Sequence, residues 1–83
     1  MTNKEKYVNA FMTGLEISKE QVVPGLNYQG IVNWDSVGHM SLIAELENAF
    51  DIMFETDDII DFSSFEKGIE ILAKYDVMIE KAD

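Results

Sequence analysis

The run Asp35-Ser36-Val37-Gly38-His39-Met40-Ser41-Leu42-Ile43-Ala44-Glu45-Leu46-Glu47-Asn48-Ala49-Phe50 says most about how this chain can fold. Two adjoining apolar stripes pass through it, one of Val37, Met40, Ile43, Leu46 and Phe50, the other of Leu42, Leu46, Ala49 and Met53. Both keep the three-and-four spacing of an α-helix, while Ser41, Glu45 and Asn48 hold the opposite face polar. So wide an apolar arc predicts a central helix. Asp35-Ser36 stands at its amino end, where both residue types are preferred caps.

Toward the amino terminus, Thr2 followed by Glu5 reads as a capping box, and Tyr7, Val8, Phe11, Met12 and Leu15 recur at helical spacing. A first helix is expected from about 3 to 16. Ser18 to Gln21 can cap one further turn before Pro24-Gly25 stops it, and Asn27 to Asn33, with Gly30, keeps no period and reads as a long loop. Toward the carboxyl terminus, Glu55 to Asp61 is a short acidic segment, expected as a turn or two of helix, with Ile59, Ile60 and Phe62 closing one side of the core. Ser63 with Glu66 reads as another capping box, and Phe65, Ile69, Leu72 and Val77 form the inner face of a last helix continuing toward Tyr75. No clean alternation, internal repeat or low-complexity tract appears. The expected fold is all-α: a small four-helix bundle, one domain over 1–83, with a long loop between the first and second helices and a short third helix.

With 83 residues and 47% apolar composition, the chain can build one core but little enclosed space, which argues against an enzyme with a deep pocket. It has no cysteine, so disulfides, thiolate metal sites and a cysteine nucleophile are excluded, and any thiol must come from an attached group. No apolar run approaches the roughly 18 residues of a membrane span, and a soluble, cytoplasmic, monomeric protein is expected. Sixteen acids against six lysines give a formal charge of −10, which disfavours nucleic acid and anionic lipid. The charge is segregated. Lys4, Lys6, Lys19, Lys67, Lys74 and Lys81 are balanced by nearby acids at the two ends, whereas 20–66 holds ten acids and no base. A single-sign field costs stability through self-repulsion, and its concentration predicts partners with basic docking patches.

Asp35-Ser36 has two readings. In most proteins such a pair only caps a helix. The same free N–H groups and dipole also favour an anion, including a phosphodiester attached through the serine oxygen. On that reading Ser36 is the attachment point, exposed to a modifying enzyme, and Val37 and Met40 offer a docking surface beside it.

With Asn33-Trp34-Asp35-Ser36-Val37, then Leu42-Ile43-Ala44-Glu45-Leu46-Glu47-Asn48-Ala49-Phe50-Asp51-Ile52 and the closing Phe65-Glu66-Lys67-Gly68-Ile69-Glu70-Ile71-Leu72, the sequence resembles the acyl carrier proteins over nearly its whole length. The resemblance implies 4′-phosphopantetheine on Ser36, donated from coenzyme A by a phosphopantetheinyl transferase in a metal-dependent transfer that Asp35 assists. It implies a partner-reading surface with Glu45, Glu47, Asp51, Asp57 and Asp58, and acyl-activating, synthase or acyltransferase enzymes as partners. It also implies an interhelical acyl cleft lined by Leu46, Phe54, Ile59, Phe62, Phe65 and Ile69, although ordinary core is the commoner fate of such residues. Val37 in place of the commoner Leu, Trp34 in place of a small residue, and Gly38-His39 opening the helix suggest a specialised member. Bulky Phe54, Phe62 and Phe65 would narrow a cleft.

His39 is expected as an exposed bystander and Trp34 as a loop anchor. A Ser36-His39-Asp35 hydrolase is disfavoured by the missing nucleophile-elbow pattern, and 51–62 lacks the ligands and glycine of a calcium loop. The expected function is therefore a carrier with no catalytic residue and no metal site. An aminoacyl carrier, D-alanyl or peptidyl, and an unmodified acidic adaptor remain the alternatives.

Overall fold

The computed structural model describes residues 2–80; Lys81 and Asp83, which enter the charge tally, lie outside the described residues. Helix α1 spans Asn3–Leu15 and begins where the sequence places a capping box: the Glu5 amide donates to Thr2 Oγ1 at 3.1 Å and the Thr2 amide to Glu5 Oε1 at 2.8 Å. It stops at Glu16, whose left-handed backbone (φ 56°) returns its N–H to the Met12 carbonyl. A single 3-10 turn, Lys19–Gln21, follows. Helix α2 spans Ser36–Phe50 and ends the same way at Asp51 (φ 54°). Helix α3 is Thr56–Asp61 and α4 is Phe65–Ala73. The expected all-α bundle, with its long loop and short third helix, is what forms.

The long loop is tied at both ends. Asn33 Nδ2 donates to the carbonyls of Leu15 (2.9 Å) and Glu16 (3.2 Å), satisfying acceptors that the end of α1 leaves open. Tyr28 N–H donates to the Ser63 carbonyl and Phe65 N–H to that of Leu26, both at 2.8 Å, around an isolated antiparallel bridge between Asn27 and Ser64. Trp34 follows Asn33 inward and is wholly buried, as its size predicts for a loop anchor.

The core lies between α1, α2 and α4 and is strongly aromatic. Tyr7, Phe11, Trp34, Phe62, Leu42, Leu46 and Leu72 are fully buried, each side chain contributing roughly 1.5–3 kcal/mol. Phe11 meets Trp34 edge-on at 5.4 Å and Tyr7 at 5.0 Å, a geometry the ring quadrupoles favour. Helices α1 and α2 approach closely at Gly14, where a Cβ would fall 2.7 Å from Leu42 Cα.

Four expectations about these elements need correction. Ile60, expected to close one side of the core with Ile59 and Phe62, points away from it and is largely exposed. The cap of α4 is Ser64, which accepts from the Lys67 amide at 2.9 Å, not Ser63, whose carbonyl is held by Tyr28. Val77 is buried but lies beyond α4, in a segment fastened to α1 by Asn3 Nδ2 on the Met78 carbonyl and by Glu80 Oε1 on the Lys4 amide. The apolar arc of α2 is not all inward: Leu42, Ile43 and Leu46 are buried, whereas Val37 and Met40 stand in solvent. No helix among the described residues is long and apolar enough to cross a membrane.

Candidate functional site

Asp35 builds the start of α2. Its extended backbone turns the chain into the helix, and Oδ1 accepts the Gly38 amide at 2.8 Å. Gly38 lets the loop close here, because a Cβ at that position would collide with the Asn33 carbonyl. By helix geometry the amides of Ser36 and Val37 have no partner within α2, so the positive end of the helix dipole lies at the serine. Ser36 is exposed, and its Oγ lies 3.2 Å from the Tyr28 hydroxyl, which the loop presents from across the junction.

A groove of about 340 Å³ opens beside Ser36, between α2 and α3. Met40, Ile59, Ile60 and Phe62 supply its apolar walls. Tyr28, Ser36 and Ser63 supply hydroxyls. No formally charged side chain lines it, in a protein of formal charge −10. The remaining wall is His39, which is not the exposed bystander expected from the sequence. Its Nδ1 accepts the Trp34 indole N–H at 2.9 Å and its Nε2 lies 2.8 Å from the Ile59 carbonyl. An indole only donates and a carbonyl only accepts, so this pairing requires a neutral ring protonated at Nε2.

No family model matches the sequence. Curated acyl carrier proteins from Chlorobium phaeobacteroides and Syntrophus aciditrophicus are each 28% identical to it. The matches span 86% and 87% of this chain and 91% and 90% of those proteins. The acyl carrier protein of Chlorobium phaeovibrioides is 25% identical over 86% of this chain and 91% of its own length. Over most of its length this chain is similar to acyl carrier proteins.

The residues expected to line a cleft separate. Ile59 and Phe62 do border the groove at Ser36. Leu46 is wholly buried in the core, Phe54 packs edge-on against Tyr75 and Phe62, and Phe65 packs against Tyr7 and Phe11. Half-buried Ile69 packs against the same core. The aromatic rings fill the space that a continuous cleft through all six residues would need.

The expected partner-reading acids separate too. Asp51 and Asp57 are exposed and Glu45 half-exposed. Glu47 turns inward, with Oε2 accepting the Phe54 amide at 2.9 Å. Asp58 is only 4% exposed and its carboxylate is fully engaged, Oδ1 by Lys74 Nζ and Oδ2 by the Tyr75 hydroxyl, both at 2.6 Å. Tyr75 in turn accepts a hydrogen bond from the Glu55 amide, so Asp58 fastens α3 to the end of α4. Glu55 and Asp61, which the sequence analysis did not select, are exposed beside Asp57.

Proposed function

We propose that this chain carries acyl groups on a 4′-phosphopantetheine attached to Ser36, in the cytoplasm, and presents them to enzymes with basic docking patches. The reading rests above all on one observation: an exposed serine hydroxyl at the amino end of α2, bordering an uncharged groove. The likeness, over 86% and 87% of this chain, to proteins named as acyl carriers supports it.

The residues present fit such a group. The open amides of Ser36 and Val37 suit a phosphodiester, and the Tyr28 hydroxyl stands within reach of the linking oxygen. The attached group would supply the thiol that this cysteine-free chain lacks, holding an acyl unit as a thioester. In the attachment, Ser36 Oγ would bond to phosphorus as the nucleotide portion of coenzyme A leaves, one P–O bond forming as another breaks, with the hydroxyl proton passing to a base of the transferase. Asp35 keeps Ser36 in place by capping α2, and its exposed carboxylate would assist the metal-dependent transfer. Val37 and Met40, 79% and 55% exposed, with Glu45, Asp51 and Asp57 form the proposed docking face. A tether raises the local concentration of its cargo at a docked enzyme, and charge steering makes docking fast and reversible.

Incubation with coenzyme A and a broad-specificity pantetheinyl transferase should add the mass of one arm to the wild type and none to Ser36→Ala. A folded wild type left unmodified while a control carrier is modified alongside would favour the acidic adaptor instead.

A further inference from the structure

The groove beside Ser36 ends on His39. One edge of the ring lines the groove, and its Nδ1 edge meets the indole of Trp34, the two rings lying nearly parallel (18°) with centroids 6.1 Å apart. Trp34 is wholly buried and has no share in the lining, so the imidazole stands between the groove and the aromatic core. Both of its nitrogens are engaged, one by the indole of the loop and one by the Ile59 carbonyl of α3. Phe62 backs the ring edge-on at 6.2 Å. Three elements, the loop, α2 and α3, are thus fastened at one side chain.

A chain moving from the groove toward Trp34 would have to push this ring aside. That would strand the buried indole N–H without an acceptor and part α2 from α3, a cost that apolar contact must first overcome. The groove itself needs no such opening. Its walls carry no formal charge, and Met40, Ile59, Ile60 and Phe62 make them largely apolar.

We propose that His39 fixes the depth of the groove, so that a short, uncharged acyl unit tethered through Ser36 is sheltered there while a long chain is kept out of the interior. His39 is thereby the residue that sets cargo length. The inference rests on Ser36 being the attachment point, but its test does not depend on enzymatic attachment.

Ser36→Cys gives a chain with a single cysteine. Propyl, hexyl and dodecyl methanethiosulfonates then place alkyl groups of graded length at the groove mouth as mixed disulfides, with intact mass reporting complete labelling. With His39 present, Tm should rise with the short group and gain nothing from hexyl to dodecyl. In Ser36→Cys with His39→Ala it should continue to climb, by about 4 °C or more over the same step. Should His39→Ala not fold, Trp34→Phe takes away the indole donor together with part of a buried ring and should shift the length profile in the same direction. Equal gains from dodecyl with and without His39, or an unchanged profile in Trp34→Phe, would overturn the proposal. Because no transferase or coenzyme A takes part, failure here is distinct from failure of Ser36 to accept an arm.

Discussion

Asp58 is held below the usual aspartate range, chiefly by the hydrogen bond from Lys74 and then by that from Tyr75. Lys74 is raised in return, mainly by the same bond. A carboxylate with a lowered folded-state pKa stabilises the fold above its unfolded value of 3.8, and that contribution disappears as pH falls through the folded value. The clasp between α3 and α4 should therefore be at full strength near neutrality and fail only in strong acid. Asp58→Asn should lower Tm at neutral pH and flatten its decline in acid; parallel acid limbs for the two proteins, followed by circular dichroism, would dismiss this role. Neither this clasp nor the pairing of His39 is legible in the sequence, for the same reason. Their partners, the Tyr75 hydroxyl and the Ile59 carbonyl, come from other elements and carry no local spacing signal. Asp35 differs because its partner, the Gly38 amide, is three residues away.

Between α1 and α2 the backbones come close enough that only a hydrogen fits at Gly14. An added methyl would meet the Cα, N and carbonyl carbon of neighbouring residues, Leu42 Cα at 2.7 Å, Leu42 N at 3.0 Å and Ser41 C at 3.3 Å. Backbone atoms cannot rotate away, so the helices must separate. Helix propensity favours alanine there by about 1 kcal/mol, yet overpacking costs about 1–3 kcal/mol, and Gly14→Ala should be net destabilising in urea titrations. A stabilised variant would mean that α1 can shift without loss. Elements with local signals were readable: the Thr2 capping box, the extra turn at Ser18 to Gln21 and the period of α1 each specify themselves. The cap of α4 missed by one residue because Ser63 and Ser64 are adjacent and only the bridge to Asn27 and the Tyr28 bond choose between them. The apolar arc of α2 overstated its burial, since Val37 and Met40 continue the helical period past the end of the core. Periodicity reports a face, not what covers it.

Across the whole molecule, the acids of α3 stand next to exposed apolar side chains. Asp57 and Asp61 share one face of α3, Ile60 is 72% and Met53 81% exposed, and Val37 and Met40 are exposed near Ser36. Charge of one sign around an apolar patch steers a basic partner while leaving the contact itself easily broken. Asp57 and Asp61 are the residues with which to test this, because Glu47 and Asp58 also hold the fold together. Exchanging both for lysine raises the formal charge from −10 by two units per substitution. The two exchanges should nearly cancel in stability: a lysine is unfavourable in the first turn of α3 and favourable in the last, each by about 0.3–1 kcal/mol. Association with a pantetheinyl transferase should then weaken most at low ionic strength. As the Debye length shrinks toward 8–10 Å, the wild type should lose affinity steeply and Asp57→Lys with Asp61→Lys far less. Matching salt slopes in calorimetric titrations of the two proteins would mean that the acidic middle keeps the chain in solution but does not guide docking.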